Sequence, residues 1–170
     1  MLKNKRGFTV VELIVSLSIT LVIVYFLLNI VLDLKDIYVK DGIRTELYIK
    51  QGTMMKKTID SFNDKNLVKI SKLDGNCLVK LEYYDSENEK SESKNICYDT
   101  SVSPNKYSVG DYNTKLVNES YIDKDEIEVS YDDANKVFHL YIPIKSDLVD
   151  GDYGINIVHI YNNSVTVDVS

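Results

Sequence analysis

The chain has 170 residues, enough for one ordinary domain together with a hydrophobic helix. It carries 20 Lys and Arg against 26 Asp and Glu, a formal charge of −6, and three of the cations are Lys3, Lys5 and Arg6 at the extreme N-terminus. The body beyond them is more acidic still. That excludes the overall basic surface with which proteins neutralise phosphates, so no direct nucleic-acid partner is expected.

Residues 8–32 read FTVVELIVSLSITLVIVYFLLNIVL. As a helix this stretch rises about 37 Å at 1.5 Å per residue, and a bilayer core needs about 20 apolar residues. Lys3, Lys5 and Arg6 precede it, and Asp33 and Asp36 follow it. The positive-inside rule then places the N-terminus in the cytoplasm and the remainder outside. The stretch is too long for the apolar region of a secretory signal peptide, and no small-x-small cleavage site follows Leu32. An uncleaved signal anchor is the plain alternative. Glu12 argues against it, because an acidic residue inside a membrane span is costly and is generally functional.

The run Lys5-Arg6-Gly7-Phe8-Thr9-Val10-Val11-Glu12-Leu13 resembles the class III signal of type IV prepilins and pseudopilins. The resemblance covers about the first 30 residues and rests on Gly7, Phe8 and Glu12 at fixed offsets before a long apolar helix. It implies cleavage after Gly7 by a prepilin peptidase, methylation of the new amine on Phe8, and a role for Glu12 in assembly. It also implies membrane lipid around the helix before assembly, and afterwards other pilin subunits and a pilus assembly platform as partners. The family often has a helix-breaking Pro farther down. Here the prolines are Pro104 and Pro143, so unwinding of the helix on assembly does not carry over. The function implied is that of a structural subunit, a minor pilin of a type IV pilus. The alternative within the class is a pseudopilin of a competence or type II secretion apparatus. The rival outside the class is a membrane-anchored binding or enzymatic head.

From residue 33 to about 63 an amphipathic helix is expected. Leu34, Ile37, Tyr38, Leu47, Tyr48, Met54, Met55, Ile59 and Phe62 recur at three- and four-residue spacing and would lie on the sheet of the head. From Leu67 the period changes to two. Residues 77–84 alternate, with Cys77, Val79, Leu81 and Tyr83 on one face. Residues 126–131 and 136–142 form a second pair of strands about the turn at 132–135. Residues 155–161 and 164–169 flank Asn162-Asn163, which suits a tight hairpin. Residues 85–94 (DSENEKSESK) and 100–112 are expected to be exposed connectors. The 13 Tyr, with no Trp, suggest half-buried rings whose hydroxyls reach water or partners.

The expected class is therefore α+β and pilin-like: a long N-terminal transmembrane and amphipathic helix packed on an antiparallel β-sheet head. Its parts are a leader over 1–7, a membrane and filament-core helix over 8–32, an amphipathic helix over 33–63 and a β-rich extracytoplasmic head over 64–170.

Chemistry is sparse. Cys77 and Cys97 are the two cysteines, and an extracytoplasmic head permits their disulfide, with two free buried thiols as the alternative. Asp147, Asp150 and Asp152 surround a Gly turn; some pseudopilins bind calcium in a C-terminal loop, but the spacing is not that of an EF-hand and a solvated turn explains it as well. His139 and His159 sit in expected strands without a ligand set. No zinc spacing, phosphate-cradling loop or nucleophile elbow is present, so no metal, cofactor or catalytic residue is assigned.

Overall fold

The computed structural model describes residues 9–161 and 164–168. Among the described residues, one α-helix, α1 (Val10–Phe62), is followed by eleven strands and a single 3-10 turn at Lys124–Glu126. The chain divides near Gly42 into two compact units, the helix up to that point and a head from Ile43 onward.

In the first unit the apolar side chains of α1 are exposed from Val10 through Val39. Its small polar residues are satisfied within the helix. Ser16 donates to the Leu13 carbonyl at 2.9 Å, Ser18 to Ile14 at 2.8 Å and Thr20 to Ser16 at 2.8 Å. Hydroxyls turned back onto their own helix leave the outer surface without polar demand, as a lipid or a dry helix bundle requires.

In the head, α1 buries Leu47, Met54, Thr58, Ser61 and Phe62. These recur at intervals of seven, four and three, one stripe of a helix. The stripe is narrower than the apolar periodicity predicts. Leu34, Ile37 and Tyr38 are exposed, as are Tyr48 and Ile59, while Thr58 and Ser61 are buried in their place. The hydroxyls explain the exchange: Thr58 donates to the Met54 carbonyl at 2.7 Å and Ser61 to Lys57 at 3.1 Å, so neither brings an unpaired polar group into the core.

A six-stranded sheet runs in the order β11–β1–β2–β3–β4–β5, from β1 (Leu67–Lys72), β2 (Cys77–Asp85), β3 (Lys90–Asp99), β4 (Lys106–Val109), β5 (Tyr112–Lys115) and β11 (Thr166–Asp168). A three-stranded sheet, β10–β8–β7, is built from β7 (Glu128–Asp132), β8 (Val137–Ile142) and β10 (Ile155–Ile160), and β6 (Ser120–Ile122) pairs with β9 (Ile144–Ser146). Every pairing is antiparallel except β1 with β11. The class is thus α+β, a long apolar N-terminal helix with an antiparallel-rich sheet head.

Residues 100–112, expected to be an exposed connector, instead hold β4 and the first residue of β5: β4 pairs with β3 and buries Tyr107 and Val109, an alternation only four residues long between polar turns. Two further expectations fail. The charged stretch 85–94 is a hairpin: Asp85 pairs with Lys90 and Tyr83 with Glu92, so β2 and β3 carry their ladder through it. Both faces of this part of β3 are exposed, which erases the alternation that marks a half-buried strand. The Asp85 carboxylate supplies the turn, accepting from the amides of Glu87 at 2.9 Å and Asn88 at 3.4 Å. The second failure is the hairpin across Asn162-Asn163. β10 pairs with β8 in one sheet, while β11 pairs parallel with β1 in the other. The dipeptide itself lies outside the described residues. Of the strand expected over 164–169, Thr166–Asp168 forms β11, and Val165 and Val167 are partly buried, but period two says nothing about which edge a strand will join.

Several tyrosines lie deeper than their composition suggests. Tyr107 and Tyr153 are fully buried. Tyr107 shares a 2.5 Å hydrogen bond with Thr58, Tyr83 donates to the Ser61 carbonyl at 2.9 Å, and Tyr153 donates to the Asp150 carbonyl at 3.1 Å. Burial pushes the phenols of Tyr83, Tyr107 and Tyr161 up from their ordinary value. The first two bonds tie α1 to the six-stranded sheet.

Candidate functional site

Thr9 and Glu12 build the N-terminal end of α1. The Glu12 carboxylate accepts from the Thr9 amide at 2.8 Å and from the Thr9 hydroxyl at 2.9 Å, and the Thr9 hydroxyl oxygen accepts from the Glu12 amide at 3.3 Å. This is a capping box, in which a Thr and a Glu three residues later satisfy each other's free amides. A negative charge at a helix N-terminus also opposes the helix dipole favourably. Glu12 is therefore folded back over the first turn, its carboxylate beside the backbone of Thr9. Gly7 and Phe8, the residues assigned to cleavage and methylation, lie outside the described residues. The role of Thr9 was missed in the sequence, although the Thr-x-x-Glu spacing was there to find it.

Around this end the helix surface is apolar. Val10, Val11, Leu13, Ile14 and Val15 are all exposed. By length and composition α1 can cross a membrane. An isolated carboxylate in such surroundings costs several kcal/mol unless it is paired and hydrogen-bonded, so the Thr9 bonds lower that cost without removing the charge. The site thus presents an anion, held at a fixed height on an apolar helix, that a cation can approach.

The other sequence candidates are structural. Cys77 and Cys97 form a disulfide between directly opposed residues of β2 and β3, closing a separation of 20 residues. The Asp147–Asp152 segment is tied to its neighbours, the Asp147 amide donating to the Glu119 carbonyl at 3.2 Å. Asp152 accepts from the Gly154 amide at 2.9 Å and from the Tyr141 hydroxyl at 3.2 Å. Gly151 has φ 152°, and a Cβ there would stand 2.7 Å from the Tyr153 hydroxyl, so the turn requires glycine. Among the described residues no three His, Cys, Asp or Glu side chains converge to hold a metal ion. His139 bonds Asn156 at 3.0 Å across the β8–β10 pair. His159 lies between Phe62, 6.0 Å away centre to centre, and Tyr161 at 4.5 Å, and its burial pulls the imidazole pKa down.

Residues 2–24 match a family described as the prokaryotic N-terminal methylation motif. The chain carries the class III signal of type IV pilins. That signal belongs to structural precursors rather than to catalysts, and the long apolar helix and the Cys77–Cys97 disulfide accompany it here. No curated protein and no solved structure matches the chain.

Proposed function

We propose that this chain is a prepilin that becomes a structural subunit of a type IV pilus. A prepilin peptidase cuts it after Gly7 and methylates the amine of Phe8. Until assembly α1 sits in the membrane with the head on the outer side, and the assembly platform then draws it into the filament. The observation that carries the reading is the methylation motif followed by an apolar helix whose side chains are exposed from Val10 to Val39. Exposed apolar area on this scale needs lipid or neighbouring helices to cover it.

Glu12 supplies the assembly device. Cleavage leaves a cationic amine on Phe8, close in sequence to Thr9, whose amide already bonds the Glu12 carboxylate. In a stack of helices the amine of an arriving subunit meets the Glu12 of its neighbour. Any other axial stagger leaves two charges unpaired in a dry bundle, so the pairing fixes the rise of the filament. Glu12→Ala tests this. The variant is expected to be processed and to accumulate in the membrane, yet to be missing from sheared filaments; incorporation at the normal level contradicts the role. The same parts would serve a pseudopilin of a competence or secretion apparatus, and loss of long surface filaments on deletion distinguishes the pilus from that alternative.

A further inference from the structure

The small polar residues that follow Glu12 in the apolar stretch of α1 are of two kinds. Ser16, Ser18 and Thr20 each donate back to a carbonyl of their own helix. Asn29 does not. Among the described residues its carboxamide has no hydrogen-bond partner, and it stands exposed between Leu28 and Ile30. A carboxamide carries two donor hydrogens and an acceptor oxygen, which are costly to leave unpaired in hydrocarbon.

The membrane surface relieves Glu12 but not Asn29. Side chains on a helix tilt toward its N-terminus. With that end in the cytoplasm, Glu12 tilts toward the cytoplasmic surface, as its bond to the Thr9 amide shows. Asn29 lies one turn before Asp33 and tilts the other way, from the outer surface back into the bilayer.

Asn29 also falls on a repeat. Val15, Val22 and Asn29 are seven residues apart, and so are Ser18, Tyr25 and Leu32 between them. The steps alternate between three and four, so these side chains form one exposed seam along the helix. Valines at the first set of positions, with a single Asn in line, are the pattern of a parallel two-helix pair whose register the Asn fixes. Ser18, small and already bonded to its own helix, lets two backbones approach.

Topology supplies the occupant. Every copy inserts with the same end inside, so Asn29 lies at the same depth in each. A carboxamide is self-complementary, since the NH₂ of each can donate to the carbonyl oxygen of the other. We propose that, in the membrane, α1 pairs in parallel and without stagger with α1 of a second copy, through this seam and reciprocal hydrogen bonds between the two Asn29 side chains. The inference rests on the membrane stage of the filament reading and adds a partner to it. Asp36 is the next position of the repeat and sets two carboxylates face to face, so the pair opens beyond the membrane. The stagger that Glu12 sets in the filament takes the two Asn29 residues out of line. The pair is thus a store of subunits that assembly separates.

The test is disulfide crosslinking of full-length cysteine variants in native cells that lack prepilin peptidase, where the chain stays in the membrane. The native cysteines are already joined to each other. Val22→Cys lies on the seam, and Leu27→Cys on the opposite side of the helix. The expected result is dimer from Val22→Cys and little from Leu27→Cys. Adding Asn29→Leu to Val22→Cys should lower the yield by about threefold to thirtyfold, the range that an interhelical hydrogen bond supports, and Asn29→Gln should retain most of it. Absence of dimer from Val22→Cys, equal yields from the two cysteine positions, or an unchanged yield with Asn29→Leu overturns the proposal. Dimer that forms only when the peptidase is active also overturns it, because the contact then belongs to the filament. Chains still beginning at Met1 in cells with active peptidase overturn the filament reading, whereas dimer in the cells without peptidase leaves the membrane pair standing.

Discussion

Two stretches of one helix meet opposite fates. Between Val10 and Val39, α1 exposes its valines, leucines and isoleucines. Farther along, the same helix buries Leu47, Met54 and Phe62 in a core shared with Ile70, Leu81, Ile96 and Phe138. The head satisfies most of its own groups: the hydroxyls of Tyr83, Tyr107 and Tyr153 find carbonyls and Thr58, the turn at Asp132 is closed by its own carboxylate, and among the described residues the buried Tyr161 hydroxyl is left without a partner. The first stretch is complete only in its backbone and hydroxyl bonds, and its surface is left for something outside the chain. A core that satisfies itself marks a folded domain, and an apolar surface that cannot do so is one for lipid or another protein to cover.

The strongest way to sharpen this contrast is to make the same kind of cut in both places. Phe138→Ala removes a fully buried ring that packs on Phe62 at 5.4 Å, and should destabilise the head by about 3–5 kcal/mol. Ile19→Ala, on the exposed stretch, should leave the melting of the detergent-solubilised chain unchanged. Equal losses from the two would erase the distinction.

Reducing the Cys77–Cys97 bond comes next. Freeing a 20-residue loop costs roughly 3 kcal/mol in the chain-entropy account, to be seen as a lower denaturant midpoint for the head. The β2–β3 ladder continues well past the bond, so far-ultraviolet dichroism should keep its sheet signal in the reduced protein. Collapse of that signal would show that the bond, rather than the packing, holds the hairpin.

The smallest effect concerns acid. Burial depresses the His159 pKa below its ordinary value, so the unfolded chain takes up a proton that the folded chain resists. The stability this contributes is present above about pH 6.5 and is lost as pH falls through the lower folded value. Thermal melts between pH 7 and pH 5 should therefore decline, and His159→Phe should flatten that slope. An unchanged slope in the variant would assign the decline to other groups.

What was legible in the sequence follows the same division. Glu12 stands out because a carboxylate in an apolar run has no local justification, and Cys77 falls on a strand that period two already marks, whereas the strand that carries Cys97 does not show in the pattern. The β2–β3 hairpin was hidden because Ser91, Glu92 and Ser93 face solvent and show no alternation, although their backbones pair. The placement of β11 beside β1 was hidden for a different reason. Partner choice between edges is decided by long-range packing, with Val165 and Val167 set against the core, and no local signal encodes it. Thr58 and Ser61 read as polar and prove to be core, because each hydroxyl returns to a carbonyl one turn back.

The central claim, that the exposed stretch of α1 is a processed assembly element, is tested most directly by the intact mass and N-terminal sequence of the protein from its native cells. A chain that begins at a methylated Phe8 is the predicted result. A chain that still begins at Met1, in cells whose prepilin peptidase is active, would contradict the account and leave α1 as an uncleaved membrane anchor.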